Sequence, residues 1–568
     1  MKSSNKTKIN KIALLFILFT SIFVCLPLLS SHLDITYDDG IQHICRLMGT
    51  YRSIEEGQSF PVIMSAFCNG FGYSWNLFYS PFTAFAPLLF KWIGFSFAGC
   101  IKLFMFAVTF FTGLSMYQCV KEISKNSKIA IVAAMLYIVA PYRLTDMYIR
   151  YALAELTSFL FLPWIFLGLY RIFYQKRKRD YLLAISTIGL ILTHTVITMY
   201  TAIFCFIYVL LHIKRLKNKK VVKQLAVNLV FAVVITSFFW MPLLETKQSA
   251  EYEVFQPGRM ERTEVLIAYK LDITDLLFTK PDGGMIYEIG FLSLIGLALT
   301  PIAIKKMRKN KKQMAFLYKT YIFMLIAGIV SVIMTLKIFP FEHLPSILKM
   351  LQFSFRMLEF SCFFFSVVVA INLGMAIRNF SIKDVGILGV VLMILTSFFS
   401  THLRYLEDFD ENVLWPAVPL TAETGRVHAG MASMEYLPSK AFQNRSYIEE
   451  RDQSVKVLQG SAQIENEQKE NTNLNFEIQY VVEESLLELP YIYYPGYQVI
   501  LQKENGSKVE LKTLETENGF VGVEIPVLEK ATVQVQYTGT WIMKVSAVIS
   551  FIGLCVLVGL KIKYSPRI

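Results

Sequence analysis

About a dozen apolar runs, most of them close to the roughly 20 residues a helix needs to cross a bilayer, alternate along this chain with short loops rich in Lys and Arg. In hydrocarbon every backbone N–H and C=O must be satisfied within the segment, so such runs fold as helices. The basic loops are "KSSNKTKINK", "KEISKNSK", "QKRKRD", "KRLKNKK", "KKMRKNKKQ" and the tail "KIKYSPRI". They fit the rule that Lys and Arg stay on the cytoplasmic side. The net charge of +13 therefore reads as a topology signal, not as a surface for nucleic acid. Only 17% of the 568 residues are charged and 54% are hydrophobic, against about 25% charged in soluble domains. The expectation is a multi-pass protein of the cell membrane with both termini cytoplasmic.

The expected spans are about 10–30, 97–119, 128–142, 153–173, 181–193, 196–213, 221–243, 286–304, 318–338, 357–377, 384–401 and 541–561. The first lacks a small-residue cleavage site and reads as a retained anchor. Residues 76–94, "NLFYSPFTAFAPLLFKWIG", would place "KEISKNSK" outside if they crossed. Their prolines and aromatics suit a segment lying in the membrane interface. The segments "LNFEIQYVV", "YQVILQKENGSKVELKTL", "GFVGVEI" and "ATVQVQY" alternate as strands do, and "KENGSK" is a hairpin signal. The expected fold is an α-helical polytopic membrane protein of about 12 transmembrane helices. Residues 1–401 form the multi-span part, with a first outer loop at 31–96. Residues 402–540 form a small extracytoplasmic β-rich domain, and 541–568 form the last helix and a cytoplasmic tail. Most of the eight Cys sit in apolar runs and read as small buried hydrophobes; Cys45 and Cys68, both in the first outer loop, read as two free thiols, with a disulfide as the alternative if that face is oxidising.

Carboxylates crowd the exit of the first run, in "DITYDDGIQHICRL". An acid at a helix end is ordinarily a hydrated cap, which suffices for Asp34. Asp38-Asp39-Gly40 followed by His43 and Arg46 offers more. A carboxylate at the membrane surface can act as general base on a hydroxyl or hold a divalent cation against a phosphate. Gly40 lets the backbone turn sharply. A second cluster, Arg143, Asp146, Arg150 and Glu155, lies in "PYRLTDMYIRYALAELTSFLFLPW". It reads either as helix ion pairs or as Arg forks for a lipid phosphate, and charge at membrane depth favours function. His194 marks the tip of a short hairpin, and Arg356 with Glu359 the mouth of the tenth span. No Walker loop, dinucleotide glycine fingerprint or paired CxxC is present. Energy for any reaction must arrive with the substrate or a gradient.

Together "DDGIQHICRL", "NGFGYSWNLFYSPF", "APYRLTDMYIRYALAELTSFLFLPW", "LTHTV", "SFFWMPLLE", "LQFSFRMLEF", "MEYLP" and "LPYIYYPGYQV" carry a resemblance over nearly the whole chain. It resembles the GT-C class of integral membrane glycosyltransferases. More narrowly, it is similar to the bacterial membrane family labelled 6-pyruvoyl-tetrahydropterin synthase-related and its YfhO-like relatives. The label does not imply pterin chemistry. A soluble pterin synthase holds zinc through clustered histidines, whereas His32, His43, His194, His212, His343, His402 and His428 are scattered here.

The resemblance implies transfer of a sugar from a polyprenyl-phosphate carrier to an envelope polymer or glycolipid on the outer face. Asp39 would be base or metal contact, supported by Asp38 and Asp146. Asp38 and Asp39 would hold any divalent cation, Mg or Mn. Arg143, Arg150 and Arg356 would meet the carrier phosphate, with His43, Glu155 and His194 at the substrate. The partners implied are the lipid-linked donor, the acceptor and membrane lipids, without nucleic acid. Two alternatives stay open. A transporter or flippase of lipid-linked glycans would need ionisable groups along several spans. A non-catalytic polysaccharide scaffold would depend on exposed aromatics such as Tyr491, Tyr493 and Tyr494.

Overall fold

The computed structural model describes residues 2–175, 179–259, 261–278, 284–407 and 434–564. Part of the basic loop after Gln175, the end of the tail, and 408–433 with His428 lie outside the described residues. The chain is mostly helical, with a separate β-sheet unit near its C-terminus. Seven helices among the described residues are long and apolar enough to cross a membrane, or up to nine if each of two bent pairs counts as one span.

Among the described residues the count of twelve is not confirmed, for local reasons. Leu182–Ile191 and Thr195–Leu211 are apolar but have 10 and 17 residues. The expected span at 286–304 divides into Phe291–Ala298 and Thr300–Lys309, with Pro301 in the first turn of the second helix, where its missing N–H is tolerated. Ser127–Ile138 and Pro141–Tyr148 meet at 43°, and Lys219–Ile235 and Ser237–Ser249 at 61°. Residues 76–94 form no continuous helix: Pro81 and Pro87 each precede a single turn, Phe82–Phe85 and Leu88–Lys91. Leu89 within the second turn and Trp92 and Ile93 beyond it are exposed.

Leu153–Gln175 and Ser354–Ala376 form the centre of the bundle. Each buries 89% of its most apolar window, against 22% for Trp541–Lys563. Phe166 fixes their contact, with its ring centroid 5.2 Å from Phe363 and 5.5 Å from Phe364. Leu182–Ile191 comes close to the first of these helices because Gly168 has no side chain. A Cβ there would lie 2.8 Å from the Leu183 backbone nitrogen.

Nine strands make the β unit: β1 Lys456–Gln459, β2 Gln463–Glu470, β3 Asn473–Val481, β4 Ser485–Ile492, β5 Tyr497–Lys503, β6 Lys508–Leu511, β7 Thr513–Glu515, β8 Phe520–Ile525 and β9 Leu528–Tyr537. They form a four-stranded sheet in the order β1-β4-β8-β7 and a five-stranded sheet in the order β2-β3-β9-β5-β6, with every pairing antiparallel. Leu474, Phe476, Ile478, Val499 and Val533 belong to their buried core. The turn at Asn505-Gly506 joins β5 to β6, with Gly506 at φ +81°.

Residues 402–407 do not belong to this unit. Asp34 N donates to Arg404 O (3.0 Å) and Leu406 N to His32 O (2.8 Å), which ties the segment to the first loop. The three tyrosines expected to be exposed in a scaffold are not fully exposed. Tyr491 and Tyr494 are each 1% exposed, and Tyr493 is partly buried, because β4 and the residues after it are packed over by the first loop. Ile492 N donates to Phe71 O, 3.0 Å away.

The orientation expected from the basic loops has the β unit outside the cell and the loop at 214–220 in the cytoplasm. In a Cys555→Ser background, Ser507→Cys should react with an impermeant maleimide on intact cells and Lys217→Cys only after permeabilisation. The reverse pattern at either position contradicts that orientation.

Candidate functional site

The helix Pro141–Tyr148 ends in a sharp reversal. Arg150 N donates to Thr145 O (2.8 Å) and Ala152 N to Asp146 O (2.9 Å), while Tyr151 takes φ +49°. The reversal folds Arg150 back over Asp146 and against Glu155 of the next helix. Its Nη1 lies 2.7 Å from Asp146 Oδ1 and 2.8 Å from Glu155 Oε2, and its Nη2 3.5 Å from Asp39 Oδ2. Tyr142 donates its hydroxyl to Glu155 Oε1. Arg356 Nε approaches the same Glu155 at 3.1 Å, and Ser158 Oγ donates to Glu359. Asp146, Arg150, Glu155 and Glu359 are all buried. A charge so far from water is tolerable only when paired and hydrogen-bonded; Arg150 pairs with Asp146 and Glu155, while Asp146 Oδ2 and Glu359 Oε2 are buried without a hydrogen-bond partner.

The first loop is locked to this cluster. Asp39 N donates to Arg150 O at 3.0 Å, directly before the helix Gly40–Glu55. Gly40 is required by proximity: a Cβ there would lie 2.1 Å from Ile35 O and 3.0 Å from Tyr151 Cβ.

Above the cluster is a cavity of about 540 Å³. Of the residues expected at a site, Asp39, His43, His194 and Arg356 line it. Asp146, Arg150 and Glu155 stand behind the wall, and their contacts are with one another and with Asp39 and Arg356. Asp146 is absent from the cavity lining and is linked to Asp39 through Arg150. Arg143 is placed elsewhere, with Nη1 on Ile138 O (3.0 Å) and Nη2 on Thr109 Oγ1 (2.8 Å). It is buried among helices and faces no part of the cavity. Asp38 sits beside the cavity at φ +50°, outside its lining.

Both histidines are held by backbone. His43 Nε2 accepts from Leu153 N at 3.2 Å. Burial first, and then the charge of Arg46, pull its pKa down to about 3, so it is neutral at physiological pH. His194 Nδ1 accepts from Ile197 N at 3.4 Å as the cap of Thr195–Leu211. Far apart in sequence, the two histidines share one cavity.

Further residues complete the wall. Arg259 and Arg262 come from the segment after Ser237–Ser249, and Glu435 and Tyr436 from the segment before the β unit. Trp75 and Tyr79 contribute aromatic surface, and Arg46 contributes a guanidinium from the first-loop helix. Arg46 belongs to the first-loop cluster, and Trp75, Tyr79, Glu435 and Tyr436 lie in stretches that carry the resemblance; Arg259 and Arg262 carry no signal, because distant segments meet only in the fold.

The divalent cation implied by the resemblance does not suit these residues. Among the described residues no group of three or more His, Cys, Asp or Glu side chains converges to hold a metal. The Asp39 carboxylate already faces Arg150. Four arginines against two carboxylates line the cavity, an electrostatic setting for an anion.

The β unit braces the rim. Tyr73 OH accepts from Tyr436 N at 3.2 Å, and Lys469 Nζ donates to Gly70 O at 2.7 Å. Glu488 receives Arg451 Nε at 3.2 Å, with both side chains fully buried.

A family model described as "6-pyruvoyl-tetrahydropterin synthase related domain; membrane protein" matches residues 77–404. An uncharacterized protein of Lactococcus lactis subsp. cremoris (strain MG1363) is 22% identical over 566 residues, covering 90% of this chain and 88% of that relative. The family match includes Asp146, Arg150, Glu155, His194 and Arg356. Asp38, Asp39, His43 and Arg46 precede it.

Burial first, then the neighbouring Asp39, push the Asp38 carboxyl up to about 6, against a lowering by Arg150. A carboxyl whose folded pKa lies above its unfolded value stabilises the fold while protonated. That contribution is lost as pH rises through the folded pKa. The thermal midpoint of wild type in detergent should therefore fall between about pH 4 and 6.5 by more than that of Asp38→Asn; Asn tolerates the left-handed backbone. Parallel pH profiles for the two proteins would contradict the assignment.

Proposed function

The chain belongs to the 6-pyruvoyl-tetrahydropterin synthase related family of membrane proteins, and from that premise we propose that it is a glycosyltransferase. In this reading it moves a sugar from a polyprenyl-phosphate carrier to an envelope polymer or glycolipid at the outer face. One arrangement carries the reading: a carboxylate, Asp39, faces a cavity walled by arginines and aromatic rings where the first membrane run ends. A carrier of this kind keeps its tail in the bilayer, its phosphate at headgroup depth and its sugar outward. Those three parts need an apolar flank, cations and aromatic surface at one level.

Asp39 accepts the proton of the acceptor hydroxyl, and that oxygen attacks the anomeric carbon. The bond from this carbon to the carrier phosphate oxygen breaks, and the phosphate leaves with the bonding pair. Arginine at the cavity wall stabilises the charge that develops on it. Arg150 holds the Asp39 carboxylate toward the cavity, and Asp146 and Glu155 hold Arg150. The neutral His43 and the aromatic wall meet the sugar. No nucleotide enters, because the ester to the carrier phosphate supplies the driving force.

Purified protein in nanodiscs, given polyprenyl-phosphate sugars and extracted envelope acceptors, should release free carrier phosphate. Asp39→Asn keeps the size of the side chain and removes the base. Its rate should fall about 100- to 10,000-fold with carrier binding nearly unchanged. Equal rates for Asp39→Asn and wild type at matched protein levels would remove Asp39 from this role.

A further inference from the structure

Arg46 is 1% exposed, and the backbone around it fixes its side chain. Nε donates to Asn76 Oδ1 at 2.9 Å, and Nη2 to Tyr79 O at 2.9 Å and Ser80 O at 3.1 Å. The guanidinium stacks 4.7 Å from the centroid of the Tyr79 ring. All three acceptors are uncharged. Nη1 is buried and has no hydrogen-bond partner, and no carboxylate forms an ion pair with Arg46 among the described residues. The other cavity arginines differ in this respect: Arg259 pairs with Glu253, Arg262 with Glu435 and Arg356 with Glu155.

Burying an uncompensated guanidinium costs several kcal/mol unless a counter-charge arrives. Asn76, which orients it, is itself fixed by Thr50 Oγ1 and Pro61 O, 3.1 and 3.0 Å away. This is a rigid cation with one buried, unpartnered donor nitrogen, carried by a residue that lines the cavity. We propose that Arg46 is the anchor of a phosphate-binding site, in which a phosphate oxygen takes the open Nη1–H and the anion supplies the missing charge.

A phosphate group fits better than a carboxylate for two reasons. One of its tetrahedral oxygens can accept from Nη1 while others face neighbouring cations, and Arg356, Arg259 and Arg262 line the same cavity. The neutral His43, one helical turn before Arg46, adds no competing charge. That the phosphate belongs to a lipid carrier rests on the glycosyl-transfer reading; capture of a phosphate group at Arg46 does not.

The test uses the full chain in nanodiscs and two probes, inorganic phosphate and farnesyl phosphate, with binding read by Trp75-sensitive fluorescence and by calorimetry. Wild type should bind at least one of them. Binding of farnesyl phosphate alone identifies a lipid headgroup as the source, and binding of inorganic phosphate, free or as a competitor, identifies the bare anion; either outcome supports the site. Arg46→Gln should weaken binding about 10- to 100-fold. Arg46→Lys, which keeps the charge but loses the fork, should fall between, and it provides the comparison if the Gln variant does not fold. Absence of binding of both probes to wild type overturns the proposal. So does wild-type affinity in a folded Arg46→Gln or Arg46→Lys protein. Asp39→Asn should bind the probe as wild type does. Intact binding without transfer in wild type would sink the glycosyl-transfer reading alone, and transfer that survives in Arg46→Gln with unchanged binding would sink this site alone.

Discussion

The Arg150 guanidinium holds together the parts of this protein that matter for a site. It is 2% exposed and meets Asp146, Glu155 and Asp39. An unpaired charge at that depth would be intolerable, so the first loop, the reversal after Tyr148 and the central helix from Leu153 are obliged to converge on it. Removing one partner of such a buried pair typically costs about 3–5 kcal/mol, a large share of the stability of any one region. Through Glu155 the network extends to Arg356 at the start of the second central helix. The position of the cavity follows from this electrostatic constraint, which no single helix imposes by its propensity.

The β unit adds a second constraint from the other side. Phe71, Tyr73 and Gly70 of the first loop are bonded to β-unit residues or to the segment leading into them. The Arg451–Glu488 pair stands behind that contact, and Arg451 also lies over the Phe71 ring. Partial burial draws the Lys469 ammonium down to about 7. The β unit therefore braces the loop that carries Asp39, and it buries the tyrosines that a polysaccharide platform would expose.

Much of this was legible in the sequence, where local chemistry determines the outcome. Strand alternation and the Asn-Gly turn marked the C-terminal sheets, and the prolines at 81 and 87 marked a stretch that does not run as one helix. The spacing of Asp146, Arg150 and Glu155 announced an ion network, although its role as support behind the cavity depended on which way the turn at 149–152 folds. Helix count was less legible: apolar composition does not say where Ser127–Tyr148 or Lys219–Ser249 will bend. Arg143 and Arg150 lie in the same stretch and look alike in sequence, yet one faces Thr109 and the other the site. Arg259 and Arg262 were invisible, since their place on the cavity wall depends on segments far away in the sequence. Arg46 was visible as a neighbour of the acids, but its lack of a counter-charge is a property of the fold alone.

The central claim is that a cavity organised on Arg150 spends a polyprenyl-phosphate-linked sugar at the cell envelope. Mass spectrometry of lipid-linked sugars and envelope glycans, comparing a strain that lacks this chain with its parent, tests it most directly. The account predicts that the deletion strain accumulates one polyprenyl-phosphate sugar and loses the matching sugar from an envelope polymer or glycolipid, with both changes reversed by the wild-type chain and neither by Arg150→Gln. Identical lipid-linked and envelope inventories in the two strains, grown under conditions in which the parent makes the protein, would contradict it.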